Sequence, residues 1–214
     1  GKRASFTEDT SFFPGHGAQR RFGEVCDRVA ERGEAKVSYV GISMPLVLAT
    51  SGAFLDRIRR AGVKMFYLVG GFDPITRRAF TGRDEKAWQR AIDAVTKCHD
   101  HGIEPYTSFL VGNDDDDEGS FDRMLEVAGA GGLKKAEFAI RTPYPGTPDF
   151  TMMRESGRLL HEDWSRYNDA NVVFQPTKMS PARLERGYVE LWRDFYRSRR
   201  SLAAESHRER TIQF

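Results

Sequence analysis

Apolar positions along the chain switch repeatedly between helical and strand spacing, and this rhythm predicts the architecture. In "GAQRRFGEVCDRVAERG" the residues Phe22, Val25, Cys26 and Val29 share one face of a helix that Gly33 ends. "KVSYVGISMP" reads as a strand, and "SGAFLDRIRRAG" as a helix with Phe54, Leu55 and Ile58 inward and Gly62 as its stop. "VKMFYLVGG" is apolar at nearly every position, the pattern of a strand buried on both faces. The clearest helix is "RDEKAWQRAIDAVTKCHDHG". Its stripe is Trp88, Ala91, Ile92, Val95 and Cys98, Asp84 and Glu85 suit its N-terminal dipole, and Gly102 suits its C-terminal cap. "IEPYTSFLVG" is the next strand, "GSFDRMLEVAGAGG" a helix, and "KKAEFAIRTPYPGTP" a last strand interrupted by prolines.

With the short extended "RASFTED" at the start, strands are predicted near 4–9, 36–44, 63–71, 103–112 and 135–142. Each connection is long enough for a crossover helix, which implies a parallel sheet with helices packed outside it. The expected class is therefore α/β. A closed eight-fold barrel needs about 250 residues, so residues 1–148 fit a partial (β/α) barrel or an open doubly wound sheet. Residues 149–214 form a C-terminal extension. There Ser180 and Pro181 open a helix whose stripe is Leu184, Tyr188, Leu191, Trp192 and Phe195.

Composition narrows the function classes. Of the 214 residues, 39% are hydrophobic and 30% charged, with a net charge of +2 from 33 basic and 31 acidic side chains. That balance gives a soluble core-forming chain and does not suggest nucleic-acid binding. No apolar run approaches the roughly 20 residues of a membrane span, and the N-terminal residues lack a signal-peptide core. The cytoplasm is the expected compartment. Cys26 and Cys98 are the only thiols, too few to hold an iron-sulfur cluster by themselves.

In a parallel sheet a ligand sits at the C-terminal strand ends. Those ends read Glu8-Asp9, Ser43, Gly70-Gly71-Phe72-Asp73, Val111-Gly112-Asn113 and Arg141-Thr142-Pro143. In "LVGGFDP" the glycines let a ligand approach the backbone, and Asp73 can accept hydrogen bonds; a tight turn capped by Asp73 explains the same residues. "FTEDTSFF" offers carboxylates for an ammonium group, or a helix cap with a solvated acid. "RTPYPGTP" is a stiff strand exit that could also wall a cofactor ring. "NDDDDEGS" lacks the EF-hand pattern and reads as a solvated acidic loop at a helix start. His99 and His101 fit a helix C-terminal cap, and both cysteines fit core packing. The arginines of the last helix fit the solvated face of a docking helix, with a nucleic-acid or partner surface as the other reading.

Taken in order, FTEDTSFF, VSYVGIS, LVGGFDP, FLVGN and RTPYPGTP resemble the second half of a radical S-adenosylmethionine core. The chain is most similar to the group whose members often carry a cobalamin-binding domain. Gly71-Phe72-Asp73-Pro74 stands where relatives have GFES, Pro143 to Pro148 matches their PYPGTP, and "HEDWSRYNDANVVFQPTKMSPARLERGYVELWRDFYRSRRSL" resembles their tail. The resemblance implies a (β/α)6 partial barrel. Its first strand and the CxxxCxxC loop, which holds a 4Fe-4S cluster that reductively cleaves S-adenosylmethionine, are not in this sequence.

It also implies roles. Glu8 or Asp9 would hold the amino group of S-adenosylmethionine, Ser43 would face the lumen, and Asp73, beside Gly70 and Gly71, would contact the ribose. The backbone at Val111-Gly112 and Arg141-Thr142 would flank the adenine, and Tyr144 would wall a small-molecule substrate. The cluster, and any cobalamin, would come from an N-terminal half or another subunit covering the open barrel edge. The function implied is part of a radical enzyme, such as a cobalamin-dependent methyltransferase; the alternative is a scaffold that lost the chemistry. A phosphate-binding domain would show GxGxxG or GxxxxGK[ST], and neither occurs.

Overall fold

The structure is a computed structural model, and it describes residues 2–4, 16–33, 35–69 and 84–211. The elements in chain order are β1 (Lys2–Ala4), α1 (His16–Arg32), β2 (Ala35–Val37), β3 (Tyr39–Ser43), α2 (Met44–Ala49), α3 (Gly52–Arg60) and β4 (Met65–Val69). There follow α4 (Glu85–Asp100), β5 (Glu104–Val111), α5 (Ser120–Ala130), β6 (Lys135–Ile140), α6 (Pro148–Glu155), a 3-10 turn at Trp164–Arg166, and α7 (Pro181–Thr211). The class is α/β; the described strands form a four-stranded parallel sheet in the order β3-β4-β5-β6 and a two-stranded parallel sheet of β1 and β2.

The strand predicted over 36–44 divides. β2 pairs in parallel with β1, whereas β3 pairs with β4 in the larger sheet. Ser38 is the break: its carbonyl accepts from the N–H groups of both Lys64 and Met65, at 3.1 and 3.2 Å. The end of the predicted strand is helical instead. Met44 and Pro45 begin α2, since proline at the first helical positions sacrifices no intrahelical bond. The caps predicted at Ser180 and Gly102 are present: Ser180 Oγ accepts from Arg183 N–H at 3.1 Å, and Gly102 takes φ of +65° after α4. Asp84, expected only to suit the dipole of α4, is its N-cap and accepts from Ala87 N–H at 3.0 Å.

Contacts divide the chain into two compact units, one within Gly1–Ser108 and Val127–Glu137, the other within Phe109–Glu126 and Phe138–Phe214. In the first unit Val40, Ile42, Phe66 and Leu68 alternate into a fully buried layer, while α1 packs on α3 and α2 on α4. Lys97 of α4 donates to the carbonyls of Leu48 and Thr50 at 2.8 and 2.6 Å, closing the C-terminal end of α2. Cys26 and Cys98 are both buried, and desolvation pushes each thiol up to about 12.

In the second unit α7 lays its stripe on β6. Phe138 meets Trp192 and Phe195 edge-on, with ring centroids 5.5 and 5.7 Å apart. Gly187 lets α7 approach α5 closely, because a Cβ there would overlap the buried Phe121 ring. Arg183 lies over the same ring, 4.8 Å from its centroid, and pairs with Glu118 and Glu190.

Two outcomes test this packing. Gly187→Ala should destabilise the second unit by about 1–3 kcal/mol, through overpacking, which urea unfolding measures. Both thiols should react with a disulfide reagent only as fast as the chain opens, because the thiolate is the reactive form; a rapid burst of labelling in the native state would contradict the placement of α1 and α4.

Candidate functional site

The two faces of the sheet differ in chemistry. Along β5, Pro105, Thr107, Phe109 and Val111 are buried, and along β6, Ala136, Phe138 and Ile140 are buried. The alternate positions carry Tyr39, Gly41 and Ser43 on β3, Tyr67 on β4, Tyr106 and Ser108 on β5, and Glu137 on β6. Gly41 is in register with Tyr67, and Tyr67 with Tyr106. Strand pairing therefore brings residues far apart in sequence onto one surface.

On that surface Glu137 accepts Tyr67 O–H on Oε1 at 2.6 Å and Tyr106 O–H on Oε2 at 2.7 Å. The Tyr67 oxygen also lies 3.2 Å from Ser108 Oγ. Since its single proton goes to Glu137, Ser108 is the donor in that contact. Burial first, and then the Glu137 bond, drive the Tyr67 hydroxyl well above the ordinary tyrosine range, so it stays protonated at neutral pH. Tyr39 and Tyr106 flank the Tyr67 ring, at centroid distances of 6.3 and 5.5 Å. The sequence reading missed this cluster. Its signal was the alternation of polar and apolar residues in EPYTSFLV and KKAEFAI, but the strong apolar run around Tyr67 concealed it.

The strand ends behave differently. Ser43 is the N-cap of α2 yet makes no capping bond with its side chain, and it is in register with Val69, which precedes Gly70. Glu8, Asp9, Gly70, Gly71 and Asp73 lie outside the described residues. At the end of β5 the predicted solvated acidic loop turns inward. Asp116 is 5% exposed and accepts the N–H groups of Gly112 and Asn113, each at 2.8 Å. Desolvation raises its carboxyl despite these bonds. Gly112 sits at φ +90°, and a Cβ there would come within 2.9 Å of Leu184 and 3.2 Å of Phe174, so glycine is required by packing as well as by conformation.

Arg141 donates its backbone N–H to Val111 O at 2.8 Å, and its guanidinium bridges Asp149 and Asp114. Asp114 also accepts from Arg158 at 2.7 Å and Thr177 at 3.0 Å. Burial works against its charge, but the bonds from Arg158, Thr177 and Arg141 together outweigh it and hold the carboxyl down to about 2. Thr142 Oγ1 donates to Ile140 O at 3.0 Å and accepts from Asp169 N–H at 3.2 Å. Tyr144 is 45% exposed, with its hydroxyl shifted upward by desolvation and by Asp169. His101 pairs with Asp56 at 2.7 Å. Among the described residues no three His, Cys, Asp or Glu side chains are placed to share a metal ion, and no described helix is long and apolar enough to cross a membrane.

No protein-family model matches the chain. Among curated proteins it is similar to bacteriochlorophyllide d C-12(1)-methyltransferase of Chlorobaculum tepidum, at 27% identity over 201 residues, or 91% of this chain and 41% of that protein. Bacteriochlorophyllide d C-8(2)-methyltransferase of the same organism is 24% identical over 133 residues, covering 59% of this chain and 30% of the relative. The chain thus spans less than half the length of these relatives. Among solved structures it resembles the radical S-adenosylmethionine methyltransferase TsrM of Kitasatospora setae, determined with cobalamin and a 4Fe-4S cluster. The TM-score is 0.55 at 18% identity, covering 87% of this chain and 37% of that one. The same enzyme with tryptophan and a cofactor analogue gives a TM-score of 0.55 at 17% identity, with 86% and 36% covered. The fold is related to the radical S-adenosylmethionine core.

The Asp114 bridge has a measurable signature. Its folded pKa lies below the ordinary aspartate value of about 3.9, so its stabilisation is present above about pH 4 and is lost as pH falls toward 2. After solvent screening, Asp114→Asn should cost about 1 kcal/mol at pH 7. Urea unfolding should show the variant and parent converging near pH 2; an equal gap at pH 7 and pH 2 would refute the bridge.

Proposed function

We propose that the chain is the cofactor- and substrate-positioning part of a radical S-adenosylmethionine methyltransferase. The observation that carries this reading is the pairing of two likenesses: a methyltransferase relative aligned over 91% of the chain, and the fold of a radical S-adenosylmethionine methyltransferase over 87% of it. Both cover nearly the same chain, so one framework underlies them.

S-adenosylmethionine fits the strand ends. Ser43 leaves its side chain uncommitted to the α2 cap, beside the strand that leads to Gly70, Gly71 and Asp73. In this reading Asp73 takes the ribose, Glu8 or Asp9 the amino group, and Tyr144 faces the substrate. The Arg141 guanidinium is committed to Asp114 and Asp149, and Gly112 N–H to Asp116. Val111-Gly112 and Arg141-Thr142 would accordingly flank the adenine as rigid backbone, not as charged ligands. The bound cofactor supplies the methyl or radical chemistry, and this chain's residues bind and orient.

An iron-sulfur cluster does not fit the chain's own thiols. Cys26 and Cys98 are buried in separate helices, and cluster sites use three or four thiolates. The cluster and any cobalamin would be held by another segment or subunit, in a cytoplasmic enzyme acting on a small molecule. The shortage of thiols also favours a second reading, a non-catalytic subunit that retains the fold.

Calorimetric titration with S-adenosylmethionine, with a CxxxCxxC-bearing segment supplied in trans, separates the two. The enzyme reading expects binding, weakened about 10- to 100-fold by Asp73→Asn, the value of one charge-assisted hydrogen bond. Equal affinity with aspartate and asparagine would remove Asp73 from the site, and no binding at all would favour the scaffold.

A further inference from the structure

We propose that the Tyr67–Glu137–Tyr106 cluster is a binding site for an organic ammonium group. The inference goes beyond the methyltransferase reading and does not depend on it.

The direction of the hydrogen bonds is the first observation. Ser108 donates to Tyr67, Tyr67 to Glu137 Oε1, and Tyr106 to Glu137 Oε2. Every proton of this network points toward the carboxylate, which ends it. A carboxylate has about four acceptor positions, and the tyrosines fill one on each oxygen. What the network still offers a ligand is acceptor capacity on Glu137, so the ligand must be a donor.

Charge is the second. Glu137 is half-buried and forms no ion pair among the described residues. The preceding lysines are directed elsewhere: Lys134 pairs with Glu104 at 3.7 Å, and Lys135 Nζ lies 3.9 Å from Met65 Sδ. Two hydroxyl donors solvate the carboxylate without neutralising it, and partly buried charge favours a counter-charge. A neutral alcohol or amide would supply donors alone, whereas an ammonium supplies both donors and charge.

The third is the aromatic row. Tyr39, Tyr67 and Tyr106 lie side by side across β3, β4 and β5, with adjacent rings tilted by 37° and 40°. Aromatic rings beside a carboxylate attract cations through their quadrupoles and offer an apolar surface to the ligand's body. Gly41 carries no side chain at the register position opposite Tyr67.

The test uses the 214-residue chain and three probes of one shape: benzylamine, benzyl alcohol and benzyltrimethylammonium. At pH 7 the first carries both charge and N–H donors, the second is a neutral donor, and the third is a cation without donors. Calorimetric titration should show saturable binding of benzylamine, about tenfold tighter than either analogue, the effect of one charge-assisted hydrogen bond. NMR should place its shifts on Tyr67 and Tyr106. Glu137→Gln, checked for retained fold by circular dichroism, should lose about tenfold in benzylamine affinity. Equal binding of amine and alcohol, shifts confined to other residues, no saturation, or unchanged affinity in a folded Glu137→Gln chain would each overturn the proposal. The probe comparison requires no variant, so it stands even if Glu137→Gln fails to fold. Because no S-adenosylmethionine is present, failure here leaves the methyltransferase reading intact, and failure of the cofactor titration leaves this site intact.

Discussion

The second unit is organised by carboxylates that the acidic loop after β5 turns inward. Asp116 takes the Gly112 and Asn113 N–H groups, which a buried loop would otherwise leave unsatisfied. Asp114, two residues earlier, gathers Arg141, Arg158 and Thr177 from three separate stretches of chain. The loop is therefore held at both its backbone and its side chains. The exit of β6 follows, because Arg141 is tied to Val111 by its backbone and to Asp114 and Asp149 by its guanidinium. Phe174 and Leu184 can then close over the bare face of Gly112.

This arrangement sets what the strand ends are able to do. At the exits of β5 and β6 the described charged side chains Asp114, Asp116, Arg141 and Asp149 are spent on one another or on backbone N–H groups, leaving a rigid backbone edge there. A site assembled on such an edge recognises shape and backbone hydrogen-bonding pattern more than charge. The polar face of the sheet is the complement. There a carboxylate has hydroxyl donors but no counter-charge among the described residues, and its tyrosines come from neighbouring strands whose register alone makes them meet. One sheet thus carries a committed edge and an uncommitted carboxylate.

Much of the local structure was legible because it depends on neighbours in sequence. The stripe of α4, its acidic N-terminal end and its Gly102 stop follow from helical spacing and capping chemistry, as do Ser180 and Pro181 at the start of α7. The parallel sheet followed from strands separated by helix-length connections. The break at Ser38 was not legible, because "KVSYVGIS" has strand character throughout. Only the competition of two partner strands divides it, with β1 taking one half and β4 the other.

The sequence by itself determined the α/β class and the ends of strongly periodic helices such as α4, since each rests on local spacing; it did not mark α2, whose start reads as the end of a strand. Tertiary structure decided which charges face solvent and which polar residues meet. Asp114 to Glu118 has the composition of a solvated loop, and it turns inward only because arginines from distant segments and backbone donors of the same loop are brought to it. Tyr67 is hidden in an apolar run and lies 70 residues from Glu137. Nothing in their spacing announces the pair, because strand register in a parallel sheet is a long-range property, and it alone places their oxygens within hydrogen-bonding distance.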